Sequence, residues 1–312
     1  MSILWLTAAA LAGSWRASAG AEINADSHGA SDVGYRHRAW SVELLTDTLQ
    51  LQHAPEQDRG RWWVAGRAEA LFAELLPFPW VDGAPTPEQG FAASYLGVEG
   101  GWVRYLPRGC YVGAQGHARQ YRFSELEQTT VTVPDGRGRL RAELVAGWWS
   151  SQASASIVVG GQQSGGATAP HAQGSARIRP DWTVAPLVMA WGGVAEGQDF
   201  LTRSRMGGLN PYVIPLAGAG WAEWWVEDYG VLRAGPSAQL GAVRLEAVGD
   251  VGWSDVSGGV WGVGLLSRTQ PAARRWFVQA DVGYGGGVVR APGVGAASVW
   301  FLVGVDWDQS EG

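Results

Sequence analysis

The sequence contains no lysine, and all 23 of its basic residues are arginine. That absence excludes Schiff-base chemistry and a phosphate-loop lysine. There is one cysteine, Cys110, so no internal disulfide can form. It also lies far from any position where a lipid anchor would be attached, and a small apolar role suits it. Charge is sparse at 17 % of residues, and 23 basic against 29 acidic groups leave a net −6. A nucleic-acid partner is thereby excluded, since no basic run with interleaved aromatics offsets the negative balance. Long apolar runs are missing too. The best candidates, residues 183–195 and 291–305, are respectively broken by Pro186 and rich in glycine and β-branched residues, and a membrane helix needs ~18 to 20 consecutive apolar residues. Yet 46 % of the chain is hydrophobic. A chain this apolar without a spanning helix must place its hydrophobic surface on strands.

What is abundant is glycine, with 46 residues, and tryptophan, with 19. The start of the chain reads as an export signal over residues 1–21. An apolar core at 3–13 precedes two small-x-small cleavage sites, Ala17-Ser18-Ala19 and Ala19-Gly20-Ala21. Residues 22–36 are polar, small and aperiodic, and are expected to form a flexible periplasmic lead. From residue 37 to 307 the dominant signal is a period of two. Residues 243–253 show it best: Val243, Leu245, Ala247, Val251 and Trp253 alternate with Arg244, Glu246 and Asp250. Residues 138–150 and 61–75 repeat it, with Leu140, Leu144 and Trp148, and then Trp62, Val64 and Phe72, on one face, while 40–53, 129–133 and 176–195 read as further strands and 162–174 as a Gly/Ser/Gln loop. Such alternation means strands with one apolar and one wet face.

The wet faces are thin, often glycine, serine, glutamine and a single arginine or aspartate. The tryptophans gather near segment ends, at Trp62-Trp63, Trp148-Trp149, Trp224-Trp225, Trp253 and Trp307. Tryptophan favours the membrane–water boundary, where its ring is half buried and its N–H stays hydrated. The fold expected is all-β: an antiparallel transmembrane β-barrel of about 12 strands, with 14 the next choice, then a tail at residues 308–312. Its outer face would meet outer-membrane lipid and its inner face water. The competing arrangement is a secreted β-sandwich that binds glycans through exposed tryptophans.

Residues 206–212, Met-Gly-Gly-Leu-Asn-Pro-Tyr, followed by Glu223 and Leu232-Arg233, resemble a loop and the next strand of the bacterial surface-antigen superfamily. That superfamily includes the barrel-assembly insertase and the two-partner secretion transporters. Residues 248–252, Val-Gly-Asp-Val-Gly, match its x-x-Asp-x-Gly strand signature, and Gln279-Ala280-Asp281-Val282-Gly283-Tyr284 is similar to its penultimate strand. The likeness covers roughly residues 200–307. It implies a Gly-rich loop that folds into the lumen and places an arginine against the signature strand, making Asp250 the strand partner. Here Asn210-Pro211-Tyr212 stands where the family has Arg-Gly-aromatic, and the nearest arginines are Arg203 and Arg205. Residues 22–36 are too few for the family's periplasmic peptide-binding repeats.

The candidate inserted loop is therefore 207–218, with Gly207, Gly208, Asn210, Pro211 and Tyr212. The candidate lumen residues are Arg244, Glu246, Asp250, Arg275, Gln279 and Asp281. Enzymatic readings find no support. None of the five histidines (His28, His37, His53, His117, His171) precedes a serine by two as in outer-membrane lipases. Asp26-Ser27-His28 matches the omptin Asp-x-His only in letters, and His117 reads as a lumen residue. No metal-ligand spacing and no cofactor motif appears. The role expected is a non-enzymatic outer-membrane protein, structural, transport-related or accessory to another envelope protein.

Overall fold

The computed structural model describes residues 14–308 apart from 24–26, 38, 46–47, 58, 77–79, 82–83, 128, 210–213, 220–222, 270–275 and 287–296. The largest sheet has 17 strands, one of them only Glu56–Gln57. The others follow chain order as β1 (Ser14–Ile23), β2 (Ser27–His37), β3 (Trp40–Leu45), β4 (Thr48–His53), β5 (Gly60–Leu76), β6 (Phe91–Tyr105), β7 (Cys110–Ser124) and β8 (Gly138–Trp149). Then come β9 (Ala153–Ser164), β10 (Ala167–Ile178), β11 (Val184–Ala195), β12 (Tyr229–Leu240), β13 (Val243–Ser254), β14 (Gly258–Thr269), β15 (Trp276–Gly286) and β16 (Ala297–Asp308). Each pairs antiparallel with the strand before and the strand after it. In addition, β1 is paired with β16 along its length, Ser14 opposite Asp308 and Ile23 opposite Val299. Among the described residues no helix is long and apolar enough to cross a membrane.

The alternation read from the sequence decides which side of each strand faces where. On β13, Asp250 is 2 % exposed and Val248 5 %, whereas Val251 is 56 % and Trp253 53 % exposed. The polar set turns inward and the large apolar set outward. Leu96, Val98, Leu140, Leu144, Val263, Leu265 and Val282 continue the outward apolar surface. A sandwich would bury these side chains between two layers; here they cover the outside.

One end of the sheet carries short connections, such as 106–109, 150–152 and 241–242. The other carries long ones, including 125–137 and 196–228. Exposed tryptophans ring the short-turn end (Trp40, Trp62, Trp102, Trp148, Trp149, Trp182), while Trp253, Trp261 and Tyr284 mark the other. Trp224 and Trp225 do not join these belts. Trp224 is buried within residues 196–228, and the Arg205 guanidinium lies 4.7 Å above the Trp225 ring.

The paired strands exceed the expected number for identifiable reasons. Residues 40–53, expected as one strand, are the hairpin β3–β4. Residues 162–174, expected as a Gly/Ser/Gln loop, belong largely to β9 and β10, because serine, glutamine and glycine are ordinary inward residues in a wet lumen. Residues 176–195 divide between β10 and β11. The expected strand 129–133 is irregular backbone. At the N-terminus, residues 14–21 of the expected leader and the described residues of the expected lead form β1 and β2. Their partners explain this, since β1 covers the otherwise open edge of β16.

Candidate functional site

The described residues of 196–228, between β11 and β12, turn back over the inner face of the strands. The segment braces itself first. Ser204–Met206 pairs with Trp224–Val226, the Gly207 N–H donates to the Ile214 carbonyl (2.9 Å), and the Leu216 N–H donates to the Gly208 carbonyl (3.0 Å). Apolar residues then fix it to the wall. Met206, Leu216 and Ala219 pack with Tyr229, Val231 and Val260. Deeper in, Leu209 and Ala217 pack with Leu187, Val248, Leu266 and Trp300. Each fully buried leucine or methionine adds roughly 1.5 to 3 kcal/mol of transfer free energy.

The tip, residues 216–219, meets the wall at its most polar point. Arg233 on β12 donates twice to Asp250 on β13, from Nε to Oδ1 and from Nη2 to Oδ2, each at 2.7 Å. The Ala217 N–H donates to the same Oδ2 at 2.8 Å. One residue on, the Gly218 N–H donates to Ser298 Oγ on β16 (3.2 Å). The Arg233 and Asp250 side chains are 5 % and 0 % exposed. A bidentate, buried guanidinium–carboxylate fork is rigid and directional. Its spare lone pair gives the loop a fixed docking point.

Glycines on the wall make room for that contact. A Cβ on Gly262 would collide with the Ala217 carbonyl, and one on Gly283 would stand 2.7 Å from the Gly218 nitrogen. Gly218 itself has φ +76°, a conformation that favours glycine. The x-x-Asp-x-Gly strand and its neighbours thus present a carboxylate at the edge of a shallow glycine-floored groove.

A second polar cluster runs along the inner face from β5 to β10. Glu99 pairs with Arg67 (2.9 Å) and Arg119 (3.3 Å). Glu143 accepts from Gln115 (2.8 Å) and Arg141 and is bonded to His171 Nε2 (2.6 Å). Arg139 donates to Gln162, which donates in turn to the Thr202 carbonyl of the loop (2.8 and 2.9 Å). Above it, Arg137 meets Asp199 at 3.1 Å. Burial pushes the Asp199 carboxyl up, but hydrogen bonds from Ser164, Thr202 and the Leu201 N–H, together with the Arg137 charge, outweigh burial and hold it below the ordinary aspartate range.

Of the residues singled out from the sequence, Glu246, Asp250, Gln279 and Asp281 face inward on β13 and β15, and Arg244 shares that inner face. Glu246 is bonded to Ser237 (3.4 Å). Asp281 accepts from Gln279 (2.5 Å) and from the Ser267 N–H (3.1 Å). Of these, Asp250 is hydrogen-bonded to the loop, through the Ala217 N–H. Gly207 and Gly208 are buried at its base, with φ of +115° and +97°. Asn210, Pro211, Tyr212 and Arg275 lie outside the described residues. His117 faces the lumen beside Arg119 and Arg141.

The arginine that meets Asp250 belongs to the neighbouring strand, not to the loop. The resemblance had directed attention to Arg203 and Arg205, but Arg203 pairs with Glu227 (3.2 Å) and Arg205 lies over Trp225. The signal for Arg233 was present. A two-residue turn at Gly241-Ala242 puts Leu240 opposite Val243, and counting back along both strands puts Arg233 opposite Asp250. Ser298 and the glycine floor carried no local signal.

No protein-family model matches the sequence, and no curated protein does. Solved structures match the fold. CdiB from Acinetobacter baumannii superposes with a TM-score of 0.62 at 12 % identity over 95 % of this chain. BamA from Haemophilus ducreyi, in a form lacking POTRA domains 1–3, gives 0.63 at 9 % over 93 %. CdiB from Escherichia coli gives 0.59 at 12 % over 93 %. The chain spans 60, 70 and 63 % of those proteins, respectively. It shares the fold of these outer-membrane barrels. The likeness that residues 200–307 carried in sequence extends in fold over nearly the whole chain.

Proposed function

We propose that this protein is a closed, 16-stranded barrel of a Gram-negative outer membrane (the 17 sheet strands less the two-residue Glu56–Gln57), with a lumen plugged on one side by residues 196–228. The outward apolar wall and its two aromatic belts fit lipid with water at each face, and pairing of β1 with β16 supports closure. Short turns would face the periplasm and long loops the exterior.

The observation that carries the plug is the main-chain bond from Ala217 to the buried Asp250–Arg233 fork. A loop whose tip is held through the main-chain N–H groups of Ala217 and Gly218, over a groove of glycines, is built to stay inside yet to be released by a small change there. The role this supports is non-enzymatic: transport through a gated lumen, or assistance to another envelope protein. Planar-bilayer recording tests it. Wild-type protein should conduct little, and Asp250→Ala should open steps several-fold larger. Equal conductance in both would remove the plug.

A further inference from the structure

The arginines lining the lumen divide into two groups. From mid-wall to the long-loop end, each of those described has an acceptor: Arg67 and Arg119 share Glu99, Arg141 has Glu143, Arg139 has Gln162 and Arg137 has Asp199. At the short-turn mouth the pattern breaks. Arg177 at the end of β10, Arg179 just beyond it, Arg244 on β13 and Arg268 on β14 have neither a side-chain hydrogen bond nor an ion pair among the described residues. All four remain partly open to water, yet Arg244 Nε is buried without a partner.

Arg244 and Arg268 are register partners on adjacent strands and point to the same side. Like charges directly opposite one another destabilise a sheet, so this pair works against folding unless something of opposite sign sits between them. Arg177 and Arg179, on and just beyond β10, both lie within electrostatic range of Arg244, and Arg177 within range of Arg268 as well. Among the described residues, Glu246 lies within electrostatic reach of Arg177 and Arg244, and Asp281 within reach of Arg268. They are two against four, and both accept hydrogen bonds elsewhere. Among the described residues, the mouth therefore carries a cluster of planar, bidentate donors that face water and outnumber these carboxylates.

We propose that Arg177, Arg179, Arg244 and Arg268 form a binding site for a multivalent oxyanion of the phosphate class, at the short-turn end of the lumen. Guanidinium forks match the paired oxygens of a phosphate and give little advantage to a halide, and rings of arginine are a known means of selecting phosphate in pores. The site stands apart from the loop tip and does not depend on plugging.

The test uses the full chain in neutral detergent and follows the temperature at which the compact, unboiled gel form is lost. Inorganic pyrophosphate should raise that midpoint saturably, through preferential binding to the folded state, while sodium chloride of equal ionic strength should not. The Arg244→Gln/Arg268→Gln variant should need at least tenfold more pyrophosphate for the same shift. Arg177→Gln/Arg179→Gln provides the same comparison if the first pair fails to assemble. Arg108→Gln, an exposed arginine at the same end, should leave the response unchanged. A parallel arm dopes the micelles with an anionic phospholipid. A shift from the lipid alone that is lost in the cluster variants would identify a lipid headgroup as the source of the phosphate. A response equal in the cluster variants and wild type, a response to chloride as large as to pyrophosphate, or no response to either phosphate source would overturn the proposal.

Discussion

Replacing Asp250 by alanine tests the loop contact most directly. The substitution strands Arg233, 5 % exposed, without its counter-charge. Breaking a buried pair from one side costs ~3 to 5 kcal/mol. It also leaves the buried Ala217 N–H unsatisfied, at about 1 to 3 kcal/mol. Only the second penalty bears on the tip alone, and at about 1.4 kcal/mol per tenfold it is enough to raise the undocked population of residues 216–219 by one to two orders of magnitude. Burial of Met206, Leu209 and Leu216 still opposes full ejection, so the expected result is a loosened loop in an intact barrel. Trypsin reports this cleanly, because a chain without lysine is cut only at arginine. Asp250→Ala should gain cleavage after Arg203 and Arg205 while keeping its heat-dependent gel shift. A second variant separates the two penalties. Arg233→Met/Asp250→Leu removes the charges together, which is often neutral for stability, yet still deprives Ala217 of its acceptor. It should regain thermal stability and remain cleavable. If both variants resist trypsin as wild type does, the Ala217–Asp250 bond does not hold the loop.

Three further outcomes follow from other contacts. Gly262→Val fills the groove under the Ala217 carbonyl, so it should expose the same tryptic sites without disturbing the Arg233–Asp250 fork; unaltered digestion would show that the groove is not a docking floor. Asp199, held below its ordinary range, contributes stability that is complete at neutral pH and lost as pH falls through the usual aspartate range toward its folded value. Hydrogen exchange over residues 196–203 should therefore quicken, relative to intrinsic rates, on acidification, and Asp199→Asn should flatten that dependence; an undiminished pH response in that variant would refute the assignment. Ala19→Cys/Val303→Cys, in a Cys110→Ser background, joins register partners on β1 and β16. A disulfide in membrane-extracted protein would show both that the seam is paired and that β1 survives export; a mature chain beginning beyond residue 19 would exclude it.

The period of two was legible because a lumen wall obeys it strictly: Val251 and Trp253 outward, Asp250 and Ser254 inward. The strands that escaped notice lack one half of that contrast. In β10, alanine, histidine, glutamine and serine make neither face conspicuously apolar, so residues 162–174 read as a loop. Ser14–Ile23 carries small residues that satisfy a cleavage site and a strand position equally well, so its pairing with the edge of β16 had no local signal. Asp250 could be found from its local signature and Arg233 from the turn between their strands. Ser298 could not, since its partner Gly218 is 80 residues away in sequence and nothing in the intervening pattern fixes their approach.

Moving the arginine from the loop to the wall changes what the loop must encode. A loop that brings its own guanidinium into the lumen needs a long side chain held in one rotamer and desolvated on arrival. With Arg233 already forked to Asp250 on adjacent strands, the charge pair forms with the barrel itself, and the loop contributes main-chain N–H groups at Ala217 and Gly218. Main-chain donors exist whatever the side chain, so the demand on the loop is steric: alanine at 217 and glycine at 218, because Gly262, Gly283 and Gly285 lie in contact beneath them. Undocking then breaks two neutral-donor hydrogen bonds and leaves the ion pair intact on the wall. That makes release less costly than extracting a charged side chain from its partner. It follows that side-chain changes elsewhere in the loop should alter its packing without abolishing docking, whereas a single added methyl group on the glycine floor should abolish it.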